Sequence, residues 1–301
     1  MNIQNAVSQK TIFQIIGNTP LIELKRYSPH PRVKIMAKLE GTNPGGSVKD
    51  RVARAMIFDA IDKKLVGTKE ILEPTSGNMG IGIAMIAAAL GYKFTAVIPE
   101  SVSLERRKLL QMYGAKLILT DGPKGTNYAI EVAREIIKKE AHRFLMLDQF
   151  NNNANVMAHY ETTGSEVLHD VPYLTHFVAG MGTGGTLMGV GRRLKEYNSS
   201  IKIIGVEPKE GSKIQGLRNM KAYTPSIYDE ERLDEVLHLA DDETAFELAR
   251  DIFKKEGVSV GISSGAALWG AIKVAEQLKE GVVVTVFPDR GDRYVSTALF
   301  A

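Results

Sequence analysis

A lysine that follows a turn rich in glycine and proline is the first feature of this chain with chemical meaning. Residues 41–51 read GTNPGGSVKDR, so Lys49 falls where a helix is expected to begin. A lysine amine forms Schiff bases with carbonyl compounds once burial or a nearby positive charge lowers its pKa. Taken alone, Lys49 would more simply be a surface residue in the first turn of a helix. The motifs around it in the sequence decide between a surface role and a catalytic one.

A second motif, a little further along the chain, predicts a loop that binds an anion. Residues 73–80 read EPTSGNMG, and an apolar run follows over residues 81–90. The pattern is typical of a strand, a tight loop and a helix, in which Thr75, Ser76 and Asn78 are good capping residues. The first backbone amides of such a helix are unpaired donors, and the helix dipole favours negative charge there.

A third motif, rich in glycine, admits two interpretations. Residues 180–185 read GMGTGG after an expected strand, and the next strand is followed by Glu207, which is the pattern of a dinucleotide-binding enzyme. Residues 182–186 also suit a cradle for one phosphate, formed by backbone amides and two threonine hydroxyls. A dinucleotide leaves Lys49 and the 75–78 loop without a role. Pyridoxal phosphate would engage all three motifs, because its aldehyde meets the lysine and its phosphate meets the glycine loop.

The elements around these motifs predict an α/β fold. Strand-like and helix-like segments alternate, which indicates parallel βαβ units, and ligands in such folds bind beyond the carboxyl ends of the strands. An asparagine-rich break near residue 151 predicts two open, twisted, mostly parallel-sheet lobes with helices on both faces and a cleft between them. We expect strands at 33–39, 70–73, 94–98, 116–119, 144–147, 176–179, 202–206 and 282–287, and helices at 51–63, 81–90, 104–113, 128–139 and 244–255.

The composition excludes several classes of protein. Apolar residues make up 44% of the 301 residues, charged residues 24%, and the net charge is +3 with dispersed basic residues, which argues against a nucleic-acid partner. No signal peptide and no apolar run of about 18 residues is visible, so we expect no membrane partner. The chain has no cysteine, which fits a cytoplasmic enzyme, and its six histidines show no metal-ligand spacing.

Together these motifs resemble the cysteine synthases, also called O-acetylserine sulfhydrylases, which are fold type II pyridoxal-phosphate enzymes related to the tryptophan synthase β subunit. The resemblance covers nearly the whole chain. Its motifs are GNTPL at 17–21, NPGGSVKDR at 43–51, TSGN at 75–78, GTGGT at 182–186 and GISSGA at 261–266. The segments ERR at 105–107, DQFNN at 148–152 and DRGDRY at 289–294 look most like the cysteine synthase B branch.

The resemblance implies a role for each matching residue. Lys49 would bind pyridoxal phosphate covalently and act as the base at the substrate Cα, and Asn78 would contact the phenolic oxygen of the cofactor. Ser263 would meet the pyridine nitrogen, although Ser264 is adjacent. The phosphate would be held by Gly182, Thr183, Gly184, Gly185 and Thr186. The substrate would be bound by Thr75, Ser76, Gly77, Met79, Gln149 and Arg218.

The resemblance also implies an activity, an architecture and partners. The activity is β-replacement, which forms L-cysteine from O-acetyl-L-serine and sulfide through an α-aminoacrylate. A smaller mobile lobe of residues 43–150 would close on a larger lobe of residues 1–42 and 151–301. A homodimer and a serine acetyltransferase partner are implied as well. Alternatives are O-phosphoserine as donor, thiosulfate as sulfur source, a cystathionine β-synthase, a cysteine-consuming producer of sulfide, a NAD-dependent enzyme and a non-catalytic scaffold.

Two positions leave the specificity open. Met79 stands where the family usually has threonine, so either the carboxylate is held without that hydroxyl or position 79 serves packing. Arg218 resembles an arginine that faces the leaving group in some cysteine synthase B relatives. An arginine there could bind the phosphate of O-phosphoserine in a bidentate manner, receive a thiosulfate sulfonate, or pair with a surface carboxylate.

Overall fold

Two sheets of mainly parallel strands organise the computed structural model, which describes residues 11–75 and 77–300. A six-stranded sheet has the order β1-β2-β10-β7-β8-β9, and a four-stranded sheet has the order β5-β4-β3-β6. The strands are β1 (Leu21–Glu23), β2 (Val33–Leu39), β3 (Glu70–Pro74), β4 (Phe94–Pro99), β5 (Lys116–Thr120), β6 (Phe144–Met146), β7 (His176–Gly180), β8 (Lys202–Pro208), β9 (Glu235–Leu239) and β10 (Gly281–Phe287).

Helices cover both faces of each sheet. They are α1 (Lys49–Asp62), α2 (Asn78–Leu90), α3 (Leu104–Met112), α4 (Gly125–Glu140), α5 (Asn153–Ala158), α6 (Gly164–Asp170), α7 (Gly185–Tyr197), α8 (Glu243–Glu256) and α9 (Ile262–Glu276). One π-helical turn, His159–Thr163, joins α5 to α6. The expected α/β fold with two sheet-based lobes is confirmed.

The larger sheet joins strands from both ends of the described chain. Strand β2 lies parallel to β10, and β10 lies parallel to β7, while β1 runs antiparallel to β2 at one edge. Helices α8 and α9 pack on one face, where Val178, Val206 and Ala266 belong to a shared apolar core. Helix α7 covers the other face with Leu187 and Val190. This sheet was predicted except for its edge strands β1 and β9.

The smaller sheet is entirely parallel, and its two central strands are buried along their whole length. Strands buried on both faces are expected to be continuously apolar, which explains the run Phe94–Pro99. Helices α1 and α2 pack on one face and α4 on the other. Helix α2 is apolar around its circumference because it lies inside this lobe.

The carboxyl ends of the central strands carry the loops singled out in the sequence. Strand β3 leads into the loop before α2, and β7 leads into the glycine loop before α7. Within the two described ranges, no helix is both long and apolar enough to cross a membrane. The proposed lobe limits, 43–150 and the remainder, stay predictions.

Candidate active site

A cleft between the two sheets collects most of the residues singled out in the sequence. Of the predicted site residues, those on its wall are Lys49, Thr75, Gly77, Asn78, Met79, Gln149, Gly182, Thr183, Gly184, Thr186, Arg218 and Ser263. Gly185 lies behind the wall, where a Cβ would meet Asn155 Oδ1 at 2.1 Å. Ser76 lies outside the described residues, so its predicted role rests on the sequence alone.

Lys49 is the first residue of α1 and its side chain is partly buried in the wall of the cleft. Burial lowers the pKa of Lys49, and the carboxylates of Asp289 and Glu40 raise it in part. The net effect is a lower pKa than that of an exposed lysine. An amine of this kind is more often unprotonated at neutral pH, as a nucleophile or a base requires.

A buried network of charged side chains anchors the helix that begins at Lys49. Arg51 Nε and Nη2 donate to the two oxygens of Glu40 at 2.7 and 2.8 Å. Arg51 Nη1 and Nη2 also donate to the two oxygens of Glu166 at 2.6 and 2.7 Å. Lys38 on β2 completes the network at 2.8 Å from Glu166. The network joins α1, β2 and α6, and so fixes where Lys49 emerges.

The side chain of Thr75 holds the loop before α2 together. The hydroxyl oxygen of Thr75 accepts hydrogen bonds from the amides of Gly77 at 3.1 Å and Gly80 at 3.2 Å. Gly77 has a φ of +155°, and a side chain there would meet Arg106 at 3.0 Å. Thr75 therefore folds the loop tightly, as the capping pattern predicted.

Glu73 supports the neighbouring wall of the cleft, a role that no sequence motif indicates. Its two oxygens accept the amides of Gln149 at 2.9 Å and Asp148 at 2.8 Å. Burial raises the pKa of Glu73 to about 8, although these backbone donors act to lower it. Because Gln149 lines the cleft, this buried carboxyl group positions a predicted substrate-binding residue.

The glycine loop before α7 forms a cup at the start of that helix. Gly184 has a φ of +86°, in the left-handed region that favours glycine. A Cβ on Gly182 would lie 2.6 Å from the carbonyl oxygen of Gly216, so that position admits no side chain. The hydroxyl oxygen of Thr183 accepts the Gly185 amide at 3.3 Å, while Asn155 Nδ2 donates to the same oxygen at 3.0 Å.

His159 lies behind the cup, on the π-helical turn. Its Nε2 is 3.3 Å from Thr186 Oγ1, and its Nδ1 is 3.0 Å from Thr163 Oγ1. Burial first, and then the positive charges of Lys49 and Arg51, hold the pKa of His159 well below its ordinary value. The imidazole is therefore neutral and orients the Thr186 hydroxyl, a supporting role that residue type alone did not reveal.

Asn78 connects the two lobes at the floor of the cleft. Its Nδ2 donates to Asp289 Oδ2 at 2.6 Å, and its Oδ1 accepts from Arg293 Nη1 at 2.5 Å. Tyr294 donates its hydroxyl to the same Asp289 oxygen at 2.7 Å. The sequence showed residues 289–294 as a family-like segment without a role, and the structure places them around Asn78.

Ser263, Met79 and Arg218 occupy three other parts of the cleft wall. Ser263, in the first turn of α9, lies at the wall, whereas the adjacent Ser264 is fully buried and does not line the cleft. Met79 is 2% exposed and packs in the apolar core of the smaller lobe, although part of it reaches the wall. The guanidinium of Arg218 packs against the ring pair of Phe150 and Tyr223, 4.7 and 4.8 Å from their centroids.

Known proteins share this architecture over almost the whole chain. Residues 12–289 match the family model described as pyridoxal-phosphate dependent enzyme. A cysteine synthase from Aquifex aeolicus is 46% identical, over 98% of this chain and 93% of its own length. This chain is a pyridoxal-phosphate-dependent enzyme of the cysteine synthase family.

Two further relatives support the family assignment. Cysteine synthase B from Escherichia coli is 43% identical, over 96% of each chain. The crystal structure of O-ureido-L-serine synthase superimposes with a TM-score of 0.91 at 40% identity, over 97% of this chain and 95% of that one. The resemblance seen in the sequence is confirmed, and the dinucleotide interpretation of residues 180–185 is set aside.

The residues of the cleft fit the cofactor of this family. Lys49 offers an amine whose pKa is lowered by partial burial for its aldehyde. The cup offers first-turn amides and threonine hydroxyls for its phosphate, and Gly182 must lack a side chain for the cup to keep its shape. Ser263 offers a neutral hydroxyl on the wall. The expectation of pyridoxal phosphate is confirmed.

Proposed function

We propose that this protein forms L-cysteine from O-acetyl-L-serine and sulfide by β-replacement. The observation that carries the proposal is the position of Lys49, whose amine shares one cleft with Thr75, Gly77, Asn78 and the phosphate cup. The relatives named cysteine synthase support the same reaction. Bound pyridoxal phosphate supplies an aldehyde that binds the amino acid and a ring that acidifies its Cα–H.

Lys49 acts as the proton carrier of the reaction. With its pKa lowered by burial, the free amine removes the proton from the substrate Cα and later returns it to the same carbon. Between those steps the Cβ–O bond to acetate breaks and the Cβ–S bond to sulfide forms. The proton balance is closed within the cleft, because one side chain takes and gives the same proton.

The other wall residues bind and orient. Thr75, Gly77 and Gln149 hold the α-carboxylate of the amino acid, with Ser76 and the loop amides as expected partners. The residues of the cup hold the phosphate, and Asn78 faces the phenolic oxygen. Ser263, as a neutral donor or acceptor, does not hold the pyridine nitrogen protonated as a carboxylate would, which favours loss of a β-leaving group.

Visible absorbance of the holoenzyme tests the proposal directly. O-Acetylserine should shift the band of the bound cofactor, and sulfide should restore it while cysteine appears in solution. Lys49→Ala should retain the fold and lower the turnover at least about 100-fold, because the proton carrier is lost. A band that O-acetylserine leaves unchanged, or a Lys49→Ala variant with full activity, would refute the assignment.

O-Phosphoserine is a second candidate donor, and the environment of Arg218 favours it. Arg218 lines the cleft, and its Nη1 donates to Asn127 Oδ1 at 2.9 Å. Among the ion pairs found within residues 11–75 and 77–300, none includes Arg218, so this guanidinium has capacity for an anionic group. Arg218→Met should reduce kcat/KM for O-phosphoserine at least about tenfold more than for O-acetylserine.

The lobe movement, the oligomeric state and the protein partner are also proposed from the resemblance to the family. We infer that the smaller lobe closes over the bound amino acid, that two copies form a homodimer, and that serine acetyltransferase is a partner. Contacts across the cleft already join the lobes: Arg106 Nη1 donates to Gln215 Oε1, and Ser296 Oγ donates to Glu105 Oε2 at 3.0 Å. Light scattering and a pull-down with serine acetyltransferase would test the last two inferences.

A further inference from the structure

Asp289 is a buried acidic residue beside the turn of Lys49, and the mechanism above gives it no role. It follows β10 closely, and 2% of its surface is exposed. Ser47 and Asp289 form an isolated antiparallel bridge, and the Val48 amide donates to the Pro288 carbonyl oxygen at 2.8 Å. The backbone therefore holds this carboxylate next to the turn that carries Lys49.

The two carboxylate oxygens of Asp289 have different surroundings. Oδ2 accepts hydrogen bonds from Asn78 Nδ2 at 2.6 Å and from the Tyr294 hydroxyl at 2.7 Å. Oδ1 is buried and accepts none from the residues that the structure describes. Gly261 makes room for it, since a Cβ there would lie 2.0 Å from Oδ1. A buried carboxylate oxygen without a donor is costly unless a positive charge can reach it.

Lys49 is one of the cations near this carboxylate, together with Arg106 and Arg293. Of the two carboxylates that act on Lys49, Asp289 has the larger effect and Glu40 the smaller. Glu40 is already compensated, because both of its oxygens receive hydrogen bonds from Arg51. Among the ion pairs of the described chain none joins Lys49 to Asp289, so the pair requires the flexible lysine side chain to move.

We propose that Asp289 is a positioning residue for both Lys49 and Asn78. Its Oδ2 fixes the Asn78 amide at the floor of the cleft, and its Oδ1 receives the Lys49 ammonium whenever that amine is free and protonated. Asp289 neither gains nor loses a proton in this role. The ammonium keeps the proton taken from Cα until Lys49 returns it, so the proton and charge balance of the reaction is unchanged. The proposal rests on the proposed function only in naming Lys49 as the proton carrier.

Other titratable groups surround the pair, some on the same segments as Lys49 and Asp289 and some on elements packed against them. They are Glu40 after β2, Asp50 and Arg51 on α1, Arg106 on α3, His159 on the π-helical turn, and Arg293 and Tyr294 on the segment of Asp289. A test must therefore remove the Asp289 charge alone and keep these groups in place.

The test measures the protonation of Lys49 rather than turnover. The full chain, stripped of cofactor, is acetylated with trace acetic anhydride over a pH series, and mass spectrometry quantifies the Lys49 peptide. Asp289→Asn keeps the size of the side chain and removes its charge. We expect the midpoint of labelling to fall by at least about one pH unit, because the proposed pair would bring the opposite charge within about 4–6 Å of the amine, where it shifts a pKa by about 1–3.

Two matched controls isolate the charge. Asp292→Asn removes a carboxylate that is exposed on the same segment and paired with Arg290 at 2.9 Å, so the midpoint should stay constant. Tyr294→Phe removes one hydrogen bond to Oδ2 and keeps the Asp289 charge, so the midpoint should again stay near that of the parent. Asp289→Ser, a smaller side chain that admits water, provides a second removal of the charge if Asp289→Asn folds poorly.

The outcomes separate the proposal from its alternatives. A lower midpoint in both Asp289 variants, with both controls unmoved, supports it. An unchanged midpoint in either folded Asp289 variant overturns it, as does an equal fall in Asp292→Asn. Failure of the proposed function looks different, because the parent would then make no cysteine while its Lys49 midpoint could still be measured.

Discussion

Removal of Arg51 should destabilise this protein more than removal of any exposed arginine. Arg51→Met deletes a guanidinium that is fully buried and that binds Glu40 and Glu166 in a bidentate manner. The methionine fills part of the space, but two carboxylates lose their common partner. Breaking a buried ion pair from one side typically costs about 3–5 kcal/mol, because an uncompensated charge remains in the interior.

The expected loss of stability in Arg51→Met can be estimated more closely from the surroundings of the two carboxylates, Glu40 and Glu166. Glu40 has no exposed side-chain surface and keeps only Thr19 and Asn43 as donors, whereas Glu166 is partly exposed and keeps Lys38. Most of the cost therefore comes from Glu40, and we expect a loss of about 4 kcal/mol in the free energy of unfolding. At a slope of about 3 kcal/mol per M, the urea midpoint would fall by about 1.3 M.

The assay is urea unfolding at neutral pH, followed by far-ultraviolet circular dichroism. Arg192→Met is the matched control, since Arg192 forms an exposed pair with Glu196 that should contribute little to stability. Arg51→Met combined with Glu40→Gln should recover part of the loss, because the stranded charge is removed. A loss below about 1 kcal/mol in Arg51→Met, or no recovery in the double variant, would refute the reasoning.

Three further predictions follow from buried groups near the cleft. The pKa of Glu73 is about 8 in the folded protein and 4.5 when unfolded. The free energy of unfolding should therefore decline as pH rises between those values, by up to about 1.4 kcal/mol per pH unit. Glu73→Gln should flatten that pH dependence in thermal unfolding. Met79→Thr should cost about 2 kcal/mol in urea unfolding and leave KM for O-acetylserine within about threefold, because Met79 packs in the core. Gly182→Ala should weaken pyridoxal phosphate binding at least about tenfold in absorbance titrations, because its Cβ would meet the Gly216 oxygen.

Each of these has a clear contrary result. Stability that rises with pH in the same window would contradict the protonated state of Glu73. A KM of Met79→Thr that is at least tenfold lower than that of the parent would show that the residue at position 79 contacts the substrate. Such a fall corresponds to about 1.4 kcal/mol of binding free energy. Gly122→Ala is the control for the cup, because Gly122 is not among the residues that line the cleft and its Cβ would lie 3.2 Å from the nearest atom. This variant should bind the cofactor normally.

The fold was predictable where local pattern and burial agree. The strands β2, β4 and β10 are short apolar runs bounded by turn residues, and the sequence placed them to within a residue or two. Edge strand β9 was missed because most of its residues are partly or fully exposed, which leaves no continuous apolar run. Helix α9 was missed because it is apolar on all sides and contains Gly265 and Gly270, so it shows neither amphipathic period nor high helix propensity.

The site was predictable where its chemistry is carried by one short segment. Glycine, threonine and asparagine at the start of a helix mark three parts of the site in the sequence, namely Lys49, the 75–78 loop and the cup. Glu73 and Asp289 could not be found that way. Their roles depend on amides and side chains contributed by distant segments, and a lone carboxylate in a sequence is most simply a surface residue.

The pairing of β2 with β10 has a consequence for how the protein is made. Strand β2 precedes the turn that carries Lys49, and strand β10 precedes Asp289 beside that turn. The two strands are adjacent in space but far apart in the chain. During synthesis, the smaller sheet can form from a continuous stretch of chain. The hydrogen bond from the Val48 amide to the Pro288 carbonyl oxygen can form only after that later part of the chain has been made. Such late, non-local closure predicts slow folding, with cofactor capture as its last event. Acquisition of the cofactor would therefore report that a newly made chain has finished folding.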